Sequence, residues 1–171
     1  MKERAGAVTM KGNPLTLLGP EVREGRKAPD FTALATDLSP VSLASFRGKV
    51  VVLASVPSLD TSVCDLETRR FNQEASGLGP EVRILVVSMD LPFAQKRWCG
   101  AAGVENVKTL SDHRDAAFGL AYGVLIKELR LLARAVFVVD AEGVVRYTQL
   151  VRELATEPDY AAVLAAVRKV V

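Results

Sequence analysis

Val50-Val51-Val52-Leu53-Ala54-Ser55-Val56-Pro57-Ser58-Leu59-Asp60-Thr61-Ser62-Val63-Cys64 is the stretch whose reading decides the fold. It opens with an apolar, β-branched run with little polar alternation, as expected of a central strand buried on both faces. Pro57 ends the strand. Beyond it the pattern predicts a helix from about Val63 to Leu78, closed by Gly79-Pro80. Phe71, Ala75 and Leu78 fall on one face of that helix, and Cys64, seven positions before Phe71, shares the inward stripe. The segment therefore carries a cysteine sulfur to a strand-to-helix junction. Backbone N–H groups and the helix dipole favour a thiolate there, and a thiolate is the nucleophilic form of cysteine.

Outward from this junction the chain alternates strands and helices. Residues 7–18 read as a hairpin with a turn at Gly12-Asn13-Pro14. Val82–Met89 is a second central strand. Pro92 suits the first turn of a short helix through Trp98 and Cys99, ended by Gly100. Val107–Leu110 reads as a short strand, and Asp115–Tyr122 as a helical turn or two. Ala135–Val139 and Val144–Tyr147 flank the turn Asp140-Ala141-Glu142-Gly143, a second hairpin. A closing helix runs from Asp159 to Val170 with Tyr160, Val163, Leu164 and Val167 facing in. The order β-α-β-α, then hairpin, then helix, predicts one α/β domain over residues 1–171. Its fold is thioredoxin-like: a central mixed sheet flanked by helices, with residues 1–18 as an N-terminal β-hairpin extension.

Composition excludes several classes. Of 171 residues, 49% are hydrophobic and 25% charged, as in ordinary globular proteins. A formal net charge of +2 with scattered basic residues predicts no nucleic-acid partner and no stable membrane association. The N-terminus lacks the apolar core of a secretory signal, so a cytoplasmic location is expected, where structural disulfides are uncommon. Cys64 and Cys99 are the only cysteines and stand 35 positions apart, so there is no CxxC motif. With His113 as the single histidine, the soft ligands do not complete a four-ligand zinc site. No metal and no cofactor is expected. The cysteines are either inert core residues or a redox pair.

Thr61 sits at a candidate N-cap position, where its hydroxyl can cap the helix and meet the Cys64 sulfur or a bound oxygen. Pro57 offers no N–H and can shield the sulfur from water. Arg134, opening the strand Ala135–Val139, is the best candidate for a cation beside the sulfur. Asp65 and Glu67 read as solvated acids of the first helical turn, although Glu67 can share the face of Cys64. His113 reads as a loop residue and Trp98 as packing. Phe93 and the Leu125–Leu132 stretch suit an apolar groove, the core or a dimer contact equally.

Pro57-x-x-x-Thr61-x-x-Cys64 resembles the active-site signature of peroxiredoxins. The wider string Pro57–Cys64 is similar to the thiol peroxidase subfamily, the atypical 2-Cys type. So are Gly12-Asn13-Pro14, Asp90-Leu91-Pro92-Phe93-Ala94-Gln95 leading to Cys99, and Thr156-Glu157-Pro158-Asp159-Tyr160. The resemblance implies a peroxidase for hydrogen peroxide and organic (lipid or alkyl) hydroperoxides. In it Cys64 becomes a sulfenic acid, Thr61 holds the peroxide, Pro57 covers the pocket, and Arg134 stabilises the thiolate and the leaving oxygen. Cys99 is implied to resolve the sulfenic acid as an intramolecular disulfide, with thioredoxin as reductant and a homodimer as the assembly. Because a disulfide needs Cα atoms within roughly 7 Å, local unwinding of one or both cysteine segments is expected on oxidation.

Two other functions compete. A thiol redox sensor or relay would use the same cysteines to oxidise a partner protein. A non-catalytic binding module would have no reason to retain Thr61, Cys64 and Arg134 together. A CxxC-type disulfide oxidoreductase does not fit.

Overall fold

The run Val50–Ser55 is a strand buried along its whole length, and the sheet is assembled around it. The computed structural model describes residues 1–171. β1 (Glu3–Met10) and β2 (Asn13–Leu18) form the N-terminal hairpin, followed by β3 (Thr32–Leu34), β4 (Pro40–Ser42) and β5 (Val50–Ser55). Then come α1 (Ser62–Leu78), β6 (Val82–Ser88), α2 (Pro92–Ala102), β7 (Lys108–Ser111), α3 (Ala117–Ala121) and β8 (Leu125–Ile126). β9 (Ala135–Val139), β10 (Val145–Leu150) and α4 (Tyr160–Arg168) complete the chain.

The main sheet has seven strands in the order β10-β9-β5-β6-β7-β3-β4. β5, β6 and β7 are parallel, and β9, β10, β3 and β4 add antiparallel wings. This is the expected mixed sheet flanked by helices. The hairpin pairs with β8 in a separate three-stranded sheet. No helix is long and apolar enough to cross a membrane.

Strand periodicity divides the core in two. Val50, Val52 and Ala54 of β5, with Val136 and Val138 of β9, pack under Phe71 of α1 and Val163 and Val167 of α4. Val51, Leu53, Phe137 and Val139 point to the other side, among Phe31, Phe118 and Tyr122 and the hairpin's Val8, Leu15 and Leu17. Phe118 and Tyr122 stack at 4.6 Å. Cys64 belongs to the helix-side cluster. Arg134, two residues before Val136, has the parity of that side. In the antiparallel register Ser55 faces Ala135, so Arg134 arrives where β5 gives way to Pro57.

Several boundaries differ from expectation for identifiable reasons. The first hairpin begins at Glu3, and its turn is Lys11-Gly12, with φ of 51° and 79°. Two adjacent left-handed residues make the tight turn that matches strand twist, so Asn13 and Pro14 belong to β2. α2 runs through Gly100 to Ala102, because the residue that adopts the left-handed cap is Gly103, whose N–H bonds back to Cys99 O. β3, β4 and β8 are two or three residues long and were not expected. Leu125, Ile126 and Leu132 are core residues here, whereas Phe93 is 66% exposed.

Candidate active site

The start of α1 just beyond β5, the strand parity and the β5–β9 register bring Cys64 and Arg134 together across 70 positions of sequence. Arg134 Nη2 donates to Cys64 Sγ at 3.3 Å. The same guanidinium donates through Nη1 to Glu67 Oε2 at 2.5 Å, and through Nε and Nη2 to the Leu154 carbonyl at 3.2 and 2.8 Å. Cys64 and Glu67 are both 0% exposed and Arg134 is 1% exposed. A cation so placed is tolerated only because every direction it faces offers an acceptor. Burial opposes its charge, but Cys64 and Glu67 outweigh that and hold Arg134 above its usual range.

Glu67 corrects an expectation. It is not a solvated acid of the helix start but a fully buried partner of Arg134. Its Oε1 is buried without a hydrogen-bond partner. Burial pushes its carboxyl up to about 7, against the pull of Arg134's charge and hydrogen bond. The Cys64 sulfur and the Glu67 carboxyl thus share one guanidinium. Asp65, by contrast, turns outward and accepts from Arg69 Nε and Trp98 Nε1, both at 2.9 Å.

Thr61 is the N-cap residue of α1, but its side chain makes no cap bond. Its Oγ1 donates instead to Ser58 O at 2.9 Å, alongside Thr61 N at 3.1 Å. Pro57 is buried at the end of β5. The Asp90 carboxylate fixes this turn. It accepts from Ser58 Oγ at 2.7 Å, Leu59 N at 2.9 Å and Ser88 Oγ at 2.7 Å. Asp90 immediately precedes the segment that carries Cys99, so one carboxylate joins the approaches to both cysteines.

Cys99 lies elsewhere. Both cysteines are free thiols. The Cys99 sulfur is 3.6 Å from Thr109 Oγ1 of β7 and opens into a cleft with Lys96, Lys108, Asp37 and Ser39. Trp98, one residue earlier, points instead to α1, where Arg69 stands 5.8 Å from its ring. His113 is a half-buried loop residue whose Nδ1 meets Ser111 Oγ at 2.9 Å. An apolar cavity lined by Ala28, Leu43, Phe46, Val51 and Val139 lies at the opposite end of β5 and touches none of these residues.

Sequence reasoning missed Glu67 as a partner, the Leu154 carbonyl and Asp90. Glu67 carried a signal, its helical offset of three from Cys64. A main-chain carbonyl carries none.

A mixed sheet with a buried thiol at the start of a helix, facing an arginine, defines a thiol redox protein of thioredoxin-like architecture. The Redoxin family model matches residues 23–164. The thiol peroxidase of Halalkalibacterium halodurans is 59% identical over 162 residues, covering 95% of this chain and 97% of that one. The thiol peroxidase of Bacillus subtilis is 54% identical over 164 residues, covering 96% and 98%. The crystal structure of a peroxiredoxin-like protein from Aquifex aeolicus superposes with a TM-score of 0.91 at 44% identity, over 98% of each chain. The chain belongs to the thiol peroxidase family of peroxiredoxins, and it is a peroxidase.

Proposed function

We propose that the protein reduces hydrogen peroxide and organic hydroperoxides through a two-cysteine cycle, with Cys64 as the attacking thiolate. The observation that carries this reading is the 3.3 Å contact between Arg134 Nη2 and Cys64 Sγ inside a fully buried cluster. A guanidinium there favours the thiolate over the thiol. It also stands ready to donate to an oxygen that gains negative charge. The sulfur attacks one peroxide oxygen. The S–O bond forms as the O–O bond breaks, and the departing oxygen takes a proton to leave as water or an alcohol. Cys64 becomes a sulfenic acid. Thr61, one turn ahead of the sulfur, holds the peroxide by its hydroxyl, and Pro57 excludes water. Because Cys64 is 0% exposed, peroxide enters only as the exposed Thr61–Ser62 turn shifts.

Cys99 then attacks the sulfenic sulfur. The S–S bond forms, the S–O bond breaks, and water leaves, which keeps Cys64 off the irreversible rungs of oxidation. Since Cys99 faces β7 and not Cys64, this step requires the α2 segment to unwind. Thioredoxin, a dithiol reductant, returns the pair to thiols, in keeping with a cytoplasmic setting. Residues 1–171 act as one catalytic unit. Leu66, Leu91 and Phe93 are 54%, 53% and 66% exposed, apolar surface suited to a homodimer contact.

The test is peroxide consumption with a thioredoxin system by wild type, Cys64→Ser and Cys99→Ser. Loss of turnover in both variants, with a trappable sulfenic acid at Cys64 in Cys99→Ser, is expected. Unchanged turnover in Cys64→Ser refutes the assignment of the nucleophile. Unchanged turnover in Cys99→Ser moves resolution to an external thiol.

A further inference from the structure

Arg134 Nη2 divides itself between the Cys64 sulfur and the Leu154 carbonyl, at 3.3 and 2.8 Å. The alternative arrangement is close by. Glu67 already holds Nη1, and its second oxygen is buried with no partner. A guanidinium free to turn would take both oxygens in the two-bond fork that arginine and carboxylates favour. That turn would carry Nη2 away from the sulfur. The Leu154 carbonyl, accepting from Nε as well, is what opposes it.

The N-terminal hairpin holds that carbonyl in place. Within the hairpin, Thr9 faces Pro14 next to the Met10–Asn13 pair that closes the turn, a position where the antiparallel alternation makes no ladder bonds. The backbone groups of Thr9 point outward instead. Thr9 N donates to Arg152 O at 2.7 Å, and Thr9 O accepts from Leu154 N at 3.0 Å, a parallel bridge centred on Glu153. The Glu153 carboxylate closes the joint. Oε1 accepts from Gly12 N at 2.9 Å and Thr9 Oγ1 at 3.2 Å, and Oε2 accepts from Ala155 N at 3.0 Å. The N–H groups of Ala155 and Gly12 hold this carboxyl below the usual range, so it is ionised at neutral pH. Arg134's own carbonyl accepts from Val151 N at 2.9 Å, so the chain from Val151 to Leu154 wraps the arginine at both ends.

We infer that Glu153, with Thr9 of the hairpin, is a positioning pair for Arg134: it clamps the Leu154 carbonyl so that the guanidinium faces Cys64 and does not close onto Glu67. The hairpin precedes residues 23–164, the part matched by the family model. It thereby serves the reaction centre as well as the core. The inference rests on Cys64 as the nucleophile and Arg134 as its cation.

The test uses the full chain with Cys99→Ser, so that no disulfide forms, adding Glu153→Ala or Glu153→Gln. Ultraviolet thiolate absorbance against pH reads the ionisation of Cys64, single-turnover reaction with hydrogen peroxide reads the rate, and a thermal melt reads stability. For Glu153→Ala the absorbance profile moves to higher pH and the peroxide rate falls about tenfold, on the scale of one weakened charge-assisted contact. For Glu153→Gln, whose amide oxygen still accepts from Gly12 and Thr9, rate and profile return most of the way. If Glu153→Ala lowers the melting point while profile and rate superimpose on the parent, Glu153 is merely structural and the inference is wrong. Peroxide consumption by Cys64→Ser would instead overturn the functional reading beneath it, whatever Glu153 does.

Discussion

Replacing Glu67 with glutamine isolates one titration inside the buried cluster. Glutamine keeps the shape and one acceptor for Arg134 Nη1, but it carries no proton equilibrium. In the wild type the folded carboxyl titrates at about 7, against a reference of 4.5. A group whose folded value is raised contributes stability below the unfolded value and loses it as pH rises through the folded one. The wild type should therefore weaken relative to Glu67→Gln between pH about 4.5 and about 7, and no further above that. At about 1.4 kcal/mol per pH unit the interval is worth roughly 3 kcal/mol. For a chain of this length that is a divergence in melting temperature of roughly 6–12 °C. The assay is urea or thermal unfolding of both proteins under reducing conditions across this range. Any constant effect of the amide cancels, since only the change in the difference matters. Parallel stability curves would refute the reasoning, because burial would then not govern the ionisation of Glu67.

Three other outcomes follow from the same geometry. Arg134→Met leaves Glu67 buried and unpaired, so it should cost about 3–5 kcal/mol above neutral pH and slow peroxide reduction by roughly 10²–10³. Adding Glu67→Gln should recover most of the stability and none of the rate, and a matching recovery of both would count against the guanidinium's direct role. Asp90→Ala strips the acceptor from Ser58, Leu59 and Ser88. It should destabilise by about 1–3 kcal/mol and raise the KM for hydroperoxide by loosening the turn that presents Thr61, and an unchanged KM argues against that link. Trp98, tied to Asp65 at 2.9 Å, should change its fluorescence when peroxide oxidises the wild type and not when it oxidises Cys99→Ser. A silent wild-type signal on disulfide formation would mean that α2 does not move.

The central strands and the cysteine junction were legible because burial on both faces leaves an unbroken β-branched run, and because Pro57 and Gly79-Pro80 punctuate the ends of strand and helix. Asp159 was legible as a helix start and does cap α4, accepting from Ala162 N at 3.0 Å. Arg134 was legible as the candidate cation at the start of a strand, and the resemblance gave it the same place, but its contact with Cys64 depends on sheet order, which no local pattern shows. Glu67 was misread as solvated because its partner is 67 positions away, and its one local signal, the offset of three from Cys64, does not by itself separate a buried acid from an exposed one. The short strands β3 and β4 escaped because three residues are too few to show alternation. The end of α2 was misplaced because glycine is a stop signal only where the backbone turns left-handed, as at Gly103 with φ 68° and not at Gly100.

The even–odd division of β9 makes the site far more sensitive to chain length than to side-chain identity. Val136 and Val138 can trade among apolar residues of similar size with modest repacking. A single residue inserted between Arg134 and Val136 would shift the arginine to the opposite side of the sheet, among Phe118, Phe137 and Tyr122, and leave the sulfur facing an alanine or a valine. Substitutions can therefore accumulate along this strand, while insertions and deletions are confined to turns such as Asp140–Gly143, where no parity has to be kept.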